Sequence, residues 1–340
     1  MYFLYYAGMA NDKQNEQIGL ALSEDGIHFK RYKNDGLILP RDPKLPWQNL
    51  RVCNPAVIHH DGRFMMYYQG IAREGHKDTS IGLAYSQDGM TWVSEHEPVL
   101  SWSHMQSIDP QMDHSARKSL IEPFVTVENG IYKMWFVYEN GIQRGSSLYY
   151  AESSDGKHWA IFGKKLLISN QFGNHNIHYP LTVRHDGHLQ LWFTLRHNKS
   201  GTMGIFRLVS VDGVEWGELS QVLPAGRGRP SMGNKKDTYS RWNLDRLKGG
   251  DFSHISRLLW PGKHTRGLLG YAHPHVIEDS ENQILYYHRN QLSQRGVRLD
   301  IGRCELHNGS IANQRQILAP SIDIEAWDSF FVGDPYIVRV

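Results

Sequence analysis

The sequence has few of the features that mark secreted, membrane-spanning or nucleic-acid-binding proteins. Only two of the 340 residues are cysteine, and Cys53 and Cys304 lie too far apart in the pattern to form a disulfide framework. No run of about eighteen apolar residues could span a membrane. The first residues carry no basic segment followed by an apolar stretch and a small-residue cleavage site. We therefore expect an intracellular, cytoplasmic protein with no membrane partner.

The overall charge is close to neutral. The 37 lysine and arginine residues are matched by 35 aspartate and glutamate residues, which leaves a formal net charge of +2. So small a surplus gives no general case for a nucleic-acid partner. A charged ligand can therefore be predicted only from a local cluster of charged residues.

What the sequence does contain is a set of four strand-like segments that recurs in the same order. Each copy opens on a residue followed by proline, continues with an aromatic-rich alternating strand, turns in a hairpin and closes with a short apolar stretch. A generic antiparallel protein does not account for the shared segment order. We predict an all-β fold, a five-bladed β-propeller of four-stranded antiparallel blades whose first blade is closed by both chain termini. The predicted single domain spans 1–340, with blades at 334–340 plus 1–40, 54–101, 122–169, 179–224 and 273–319 and a basic insertion at 225–270.

Two short motifs give each copy its expected geometry. A strand that begins with X-Pro puts the proline where its missing N–H costs no ladder bond, and the residue before proline is expected to be extended. In the hairpins, Asp-Gly supplies the positive φ of a tight turn, and the aromatic residue after it is expected to pack back on its own blade.

The first residue of each copy occupies an equivalent slot, and such slots converge on a central funnel in a propeller. A slot that served packing alone would repeat one residue type, whereas these hold five different polar or ring residues. We therefore expect a site there. His178 could replace or accompany its neighbour Tyr179, because sequence does not fix the strand register. In blade order the slot residues are Asp334, Asn54, Glu122, Tyr179 and His273.

These motifs resemble those of the five-bladed propeller glycoside hydrolases. The X-Pro first strands, the D-G-x-Y/F-x-x-Y-Y strands, the S-x-D-G-x-x-W hairpins and the blade shared by both ends are the similar features. The group includes arabinanases and β-xylosidases, invertases and levansucrases, neoagarobiose hydrolases and β-mannoside phosphorylases. The resemblance implies that Asp334 is the base or nucleophile and that Glu122 is a second catalytic carboxylate.

The sequence departs from that group at the remaining slots. Asn54, Tyr179 and His273 stand where those families often place a third acid, so Asn54 and Tyr179 become candidate substrate contacts. Neoagarobiose hydrolases offer a precedent for a histidine proton donor, which keeps His178 and His273 as alternatives to Glu122. The resemblance also implies an axial structural ion near His273. We expect no required cofactor and no catalytic metal, since no H-E-x-x-H or Cys/His spacing is present.

The chemistry argued from the residues leads to the same pair of acids. Cleaving a glycosidic bond needs a protonated acid at the leaving oxygen and an ionised carboxylate that attacks the sugar or activates water. Asp334 is the expected ionised partner. Glu122 lies in an apolar segment that would raise its pKa and suit a proton donor, unless it only caps a strand end. Arg51 would hold a neighbouring carboxylate deprotonated or clamp an anionic substrate.

Further candidate substrate contacts lie outside the slots. Trp47 and Trp327 each precede a slot residue by seven positions and would stack on a sugar ring or wedge neighbouring blades. The insertion holds ten Lys or Arg, with Arg227 and Arg229 among them, against three Asp. It predicts a basic rim for an anionic sugar, unless it is a solvated loop. Asp109 is interpreted as a turn residue, because no strand follows it.

The sequence therefore predicts a glycoside hydrolase that acts on a terminal or small sugar, with an anionic one favoured. Two alternatives remain. A phosphorylase or glycosyl-transferring enzyme of the same fold would use phosphate or a nucleotide sugar, and a propeller that has lost catalysis would only bind carbohydrate. Phosphate dependence separates the two enzymes, and any turnover excludes the binding module.

Overall fold

The computed structural model describes residues 1–10, 15–72, 78–110, 118–140, 145–198, 200–211, 216–217, 219–225, 268–279, 282–293, 296–307, 310–322, 326–329 and 331–340. In these ranges nearly every regular element is a strand, which confirms the predicted all-β class. Helical geometry is confined there to α1 (Trp102–Met105) and 3₁₀ turns at Pro46–Gln48 and Ser169–Phe172. The strands are β1 (Tyr2–Met9), β2 (Gln17–Ser23), β3 (Lys30–Arg31), β4 (Leu37–Leu39), β5 (Arg51–His60), β6 (Arg63–Ile71), β7 (Thr79–Ser86), β8 (Val93–Ser94), β9 (Lys118–Glu128), β10 (Ile131–Asn140), β11 (Ser146–Ser153), β12 (Ala160–Ile168), β13 (His175–His185), β14 (His188–His197), β15 (Met203–Ser210), β16 (Ser220–Leu223), β17 (Leu268–Asp279), β18 (Asn282–Ser293), β19 (Gly296–His307), β20 (Ser310–Leu318) and β21 (Phe331–Arg339).

The strands follow one another in antiparallel units. We refer to β5 to β8 as unit 2, β9 to β12 as unit 3, β13 to β16 as unit 4 and β17 to β20 as unit 5. Units 2 and 3 join into one sheet through a parallel pairing of Thr79 with Ser119, and units 4 and 5 through one of Met203 with Gly270. Unit 1 comprises β21, β1, β2 and the short outer strands β3 and β4.

Unit 1 contains both ends of the given sequence. Strand β1 pairs with β2 on one side and with β21 on the other, and the Met1 amino group donates a hydrogen bond to the Val340 carbonyl at 3.0 Å. The first strands of the units, β21, β5, β9, β13 and β17, contact one another in that order, and β17 contacts β21. These inner strands therefore surround a common axis.

Neighbouring units are held together by a tyrosine of one unit and the hairpin of the next. The hairpin glycines have the predicted positive φ, 70° at Gly26, 71° at Gly89 and 74° at Gly156. The prediction that the hairpin aromatic packs on its own blade is wrong, because Trp92 packs edge-on against the Tyr5 ring of unit 1 with centroids 5.9 Å apart. We call these contacts tyrosine latches. In each, a tyrosine hydroxyl donates a hydrogen bond to the carbonyl of a hairpin glycine: Tyr286 to Gly26 at 3.0 Å, Tyr5 to Gly89 at 2.9 Å and Tyr67 to Gly156 at 2.7 Å.

The backbone at the X-Pro slots differs from the prediction. The inner strands begin before the slot, as β5 does at Arg51, and each carries a register shift where its slot residue and proline lie. The slot residues are left-handed rather than extended, because a β-bulge in a tightly packed strand overrides the local preference of the residue before proline. Their φ angles are 52° at Asn54, 59° at Glu122, 53° at Tyr179, 54° at His273 and 52° at Asp334.

Of the basic insertion predicted at 225–270, residues 226–267, with Arg227 and Arg229, lie outside the described residues, and residues 268–270 already belong to β17. Most of the largest buried side chains of the described part are aromatic and lie on the second strand of the units, with Tyr6, Tyr68 and Trp192 among them. No described helix has the length and apolar character needed to cross a membrane.

Candidate active site

The slot residues converge on the axis. Asn54, Glu122, Tyr179 and His273 line one small cavity between the inner strands, with room for about one water molecule. Asp334 joins them through a side-chain contact with His273. The slot residues come from every unit and are between 2% and 9% exposed, so polar groups from five strands are held together out of bulk water. Left-handed, buried, non-glycine residues cost free energy and persist where the surrounding fold enforces them, often at functional sites.

Asp334 lies between two histidines of unit 5. Its Oδ1 is 3.2 Å from the His273 Nδ1 and 3.4 Å from the His288 Nδ1. Burial alone would raise the pKa of Asp334, but the hydrogen bonds and charge interactions with the two imidazoles outweigh it and hold this pKa well below its ordinary value. Burial lowers the pKa of His288. The Thr194 Oγ1 accepts a hydrogen bond from the His273 backbone N–H at 3.0 Å, which fixes that slot.

Glu122 lies against unit 4. Its Oε1 and Oε2 are 3.0 and 3.3 Å from the His178 Nδ1, and its Oε2 accepts a hydrogen bond from the Tyr179 backbone N–H at 2.8 Å. Burial would lower the pKa of His178, but the charge and hydrogen bond of Glu122 raise it above its ordinary value. The His178 Nε2 is buried and has no hydrogen-bond partner among the described residues. This imidazole therefore has one nitrogen anchored and one open.

Tyr179 is the ring at the centre of the cluster. It stacks on His273 with ring centroids 4.5 Å apart and meets His288 edge-on at 5.5 Å. Burial, followed by the charges of Asp334, Glu122 and Glu16, raises the pKa of the Tyr179 phenol well above its ordinary value. The phenol therefore stays protonated and can donate a hydrogen bond to a ligand.

Unit 2 adds an amide pair and an ion pair. The Asn54 Nδ2 donates to the Gln69 Oε1 at 2.6 Å. The carboxylate that the structure places beside Arg51 is that of Glu16, with the Arg51 Nη1 and Glu16 Oε2 3.6 Å apart and both side chains at most 5% exposed. The predicted neighbouring carboxylate of Arg51 is thus a residue that the sequence did not single out.

The two tryptophans lie within the units. Trp47 stacks on Tyr68, with ring centroids 5.8 Å apart, and covers Gly70 and Gly82, where a Cβ would approach the indole to 2.3 and 2.2 Å. Trp327 stacks in the same way on Tyr6, at 5.7 Å. The structure thus gives both indoles packing partners, and neither lines the cavity described above.

Asp109 lies outside the strands, and its backbone N–H donates to the Met105 carbonyl at 2.8 Å. The interpretation of Asp109 as a turn residue agrees with this position.

A cation would find its ligands around Asp334. His273, His288 and Asp334 are all buried and offer ligand atoms that lie within 4.8 Å of one another. Separations of 3.2 and 3.4 Å between Asp334 and the two imidazoles fit neighbouring ligands at a small cation, for which bonds of about 2.0–2.2 Å are usual. The ion near His273 stays a prediction, and these three side chains are the ones that would hold it.

The chain can now be placed among known proteins. Residues 1–221 match the model of glycoside hydrolase family 130, described as beta-1,4-mannooligosaccharide phosphorylase. The chain belongs to this family. The match includes the slots at Asn54, Glu122 and Tyr179 and ends before those at His273 and Asp334.

The relatives of this family-130 chain agree in fold. A solved structure from work describing how the family of mannoside phosphorylases contains glycoside hydrolases that target beta-1,2 mannosidic linkages in Candida mannan aligns over 94% of this chain and 96% of its own, with a TM-score of 0.58 and 16% identity. A thermostable family-43 glycoside hydrolase aligns over 94% and 91%, also with a TM-score of 0.58 and 16% identity. Likeness at this identity shows a shared propeller-type fold.

Curated relatives are found in Mycobacterium tuberculosis. The uncharacterized protein Rv1502 of strain H37Rv is 28% identical over 196 residues, which cover 54% of this chain and 59% of that protein. The chain spans between 51% and 59% of the length of the curated relatives that it matches.

Sequence reasoning missed four polar residues that the family-130 fold brings to the slots. Three of them, Gln69, Thr194 and His288, stand directly opposite the residue that precedes a slot, in the second strand of their units. Each follows a pair of aromatic residues, as in Tyr67-Tyr68-Gln69, and this recurring pattern could have found them. Glu16 belongs to no repeated motif.

Proposed function

We propose that this family-130 protein hydrolyses a mannosidic bond with groups supplied by two slots, Asp334 on one side and the Glu122–His178 pair on the other. The observation that supports this most is that the slots with carboxylates are the ones backed by buried histidines. A carboxylate kept ionised and an imidazole kept protonated are the two states that acid–base cleavage of a glycoside needs.

We infer that the fold is a five-bladed propeller in which each unit is one blade and the two chain ends complete the first. The ring of contacts among the inner strands supports it. So do the tyrosine latches, which run from unit 5 to unit 1, from unit 1 to unit 2 and from unit 2 to unit 3. The pairing of β21 with β1 supports closure by both ends.

Asp334 is the base in this proposal. Its depressed pKa keeps it ionised at neutral pH, and it activates the water that attacks the anomeric carbon. His273 holds the carboxylate by a hydrogen bond, and the His288 Nδ1 accepts a hydrogen bond from the Asp334 backbone N–H, so the two imidazoles fix the direction from which the carboxylate acts. A base that activates water leads to inversion at the anomeric carbon.

His178 is the proton donor in this proposal, and Glu122 orients it. Glu122 accepts hydrogen bonds from the His178 Nδ1 and from the Tyr179 backbone, so its oxygens are engaged as acceptors. The open Nε2 of His178 then faces the leaving oxygen and delivers the proton, while Glu122 stabilises the charged imidazole. Of the two donors considered from sequence, Glu122 and a histidine, this geometry favours the histidine.

Phosphorolysis is the second candidate, and the description of the family model as a mannooligosaccharide phosphorylase favours it. A bound phosphate would then take the place of the attacking water. The predicted preference for an anionic substrate depended on Arg227 and Arg229, which lie outside the described residues.

The test is to incubate the protein with β-1,4- and β-1,2-mannobiose, with and without inorganic phosphate, and to identify the products. We expect free mannose at a rate that phosphate does not change, with the inverted anomer released first when followed by NMR. Mannose 1-phosphate formed only with phosphate would establish the phosphorylase instead. Binding without turnover of any glycoside tested would leave a carbohydrate-binding propeller.

A further inference from the structure

A third carboxylate, Glu16, reaches the slots from outside the repeat. Its side chain is 5% exposed, although it precedes β2 in a connection of unit 1. Its backbone carbonyl accepts a hydrogen bond from the Val52 N–H at 3.0 Å, which fastens this connection to the start of β5. Glu16 is thereby held next to Arg51, which lies three residues before the Asn54 slot.

One oxygen of the Glu16 carboxylate is left without a hydrogen bond from the described part of the chain. The Glu16 Oε2 is buried and accepts no hydrogen bond from any residue that the structure describes, and the nearest cation, the Arg51 Nη1, is 3.6 Å away. Buried carboxylate oxygens are normally hydrogen bonded, because leaving one unsatisfied is costly. The open oxygen is therefore available to a donor brought by a ligand.

A second open group lies on unit 2, in the strand that pairs with β5. Gln69 is 1% exposed, and its Oε1 accepts the hydrogen bond of Asn54, but its Nε2 has no partner among the described residues. Gln69 stands directly opposite Cys53, the residue before the slot. Units 1 and 2 thus bring an open acceptor on Glu16 and an open donor on Gln69 to the start of β5.

We propose that Glu16, Arg51 and Gln69 form a subsite that binds two neighbouring hydroxyl groups of the sugar and makes the site selective for neutral over anionic sugars. An acceptor beside donors matches a pair of hydroxyls, each of which both donates and accepts. Because the Glu16 carboxylate offsets the charge of Arg51, a phosphate or carboxylate group placed there would meet repulsion from Glu16.

The charges around Tyr179 agree with this assignment. Glu16, Glu122 and Asp334 all act on its phenol, so the described centre of the site carries three acidic groups. Glu16 is a specificity-determining residue in this scheme and takes no part in proton transfer. The inference rests on the proposed mannoside activity and extends it to substrate selection.

The test compares Glu16→Gln with wild type on the mannobiose that wild type turns over. We expect KM to rise about 10- to 100-fold, as for loss of a hydrogen bond from a charged group, while kcat changes little. Inhibition by inorganic phosphate should strengthen, since the negative charge of Glu16 beside Arg51 is removed. Removing one sugar hydroxyl at a time should cost wild type more than Glu16→Gln at the hydroxyl that Glu16 binds. The matched control is Glu24→Gln, an exposed residue of the adjacent hairpin, which should change none of these values.

Glu16→Gln removes the carboxylate that lies 3.6 Å from the buried Arg51 guanidinium. If this single variant does not fold, the double variant Glu16→Gln with Arg51→Gln takes its place. It should show the raised KM without the stronger phosphate inhibition. An unchanged KM and an unchanged ranking of the deoxy sugars, in a folded variant of an active enzyme, would overturn the subsite alone. A wild-type protein that turns over no mannoside would overturn the proposed function and the subsite with it.

Discussion

Glu122 in unit 3 and Asp334 in unit 1 occupy the same slot of the repeat and differ in their surroundings. Both have a left-handed backbone, both precede proline and both are buried. Glu122 shares its oxygens between one imidazole and a backbone N–H, and the imidazole is the group whose pKa rises. Asp334 lies between two imidazoles, and the pKa that shifts most clearly is its own, downward.

The difference shows that the repeat determines the position of a slot carboxylate, while residues of the neighbouring unit determine its protonation and its role. His178 belongs to unit 4 and is next to a slot, whereas His288 lies on the second strand of unit 5. Glu122 therefore keeps a proton on His178, whereas Asp334 is itself kept deprotonated. Two groups of one residue cluster whose environments push their protonation apart are the arrangement that acid–base catalysis uses.

The largest effect is expected at the ionised end of this comparison. Asp334→Asn keeps the shape and tolerates the left-handed backbone, but it removes the base, so kcat should fall about 10³- to 10⁴-fold. Steady-state kinetics on a mannobiose measures the loss, and thermal unfolding checks the fold.

The control for Asp334→Asn is Asp186→Asn, which makes the same change at an exposed residue with a φ of 47°. It should leave kcat as in wild type. Full activity in Asp334→Asn would remove this residue from the chemistry and with it the comparison of the two carboxylates.

The protonated end should respond through both rate and pH. His178→Gln retains a side-chain amide but no transferable proton, so kcat should fall about 10²- to 10³-fold. Glu122→Gln should lower kcat by up to about 10²-fold, because the donor His178 is still present but is no longer oriented by Glu122. The ratio of the two losses, measured on the same substrate, identifies the donor, and a larger loss in Glu122→Gln would make Glu122 the acid.

The pH profile gives an independent measure of the same pair. Glu122 raises the pKa of His178, and Glu139 and Arg196 act on it in opposite directions. A donor must be protonated, so kcat/KM should fall as pH rises through a value above 6.5, the ordinary value for histidine. In Glu122→Gln burial dominates, and the alkaline limb should move to lower pH. A limb that stays in place in this variant would contradict the pairing.

The smallest effect concerns the backbone that the slots share. At Asn54, where φ is 52°, replacement by Ala should be less stable than replacement by Gly by about 1–2 kcal/mol, because only the Cβ strains a left-handed residue. Both variants lose the bond to Gln69, so that loss cancels in the difference. Denaturant unfolding measures it.

The exposed Asn129, with a φ of 53°, provides the reference pair of variants and should give a similar difference. No difference at Asn54 would mean that the slot relaxes without its side chain. The left-handed backbone would then depend on the side chain of each slot, and the slots of Glu122 and Asp334 could differ in backbone conformation as well as in their hydrogen-bond partners.

The sequence predicted the strand order, the slots and the hairpin glycines because these recur, and a recurring motif can be read without knowing the register. It predicted the wrong backbone at the slots. The residue before proline prefers an extended conformation in isolation, and a bulge imposed by packing overrides that preference at Asn54. Trp92 was assigned to its own blade for a similar reason, since the sequence carries no information on which neighbouring unit faces a ring.

The candidate site was predicted in part. Repetition marked the slot residues, but the partners that decide their roles come from cross-strand pairing. His288 meets Asp334 only because two units adjoin. Glu16 reaches Arg51 from a connection that no repeat marks. Such contacts depend on where strands lie in three dimensions, and the spacing of single motifs does not encode them.

The pairing of β1 with β21 has a consequence for how the chain is made. Met1 and Val340, which are 339 positions apart, are hydrogen bonded, and β1 has β21 as one of its two neighbours. During synthesis β1 leaves the ribosome long before β21 and keeps one open edge until β21 follows it. Closing contacts of such long sequence separation is slow, and unpaired edges invite association with other chains. Because β1 pairs with β21, the time between the synthesis of these two strands is when the nascent chain most needs a chaperone.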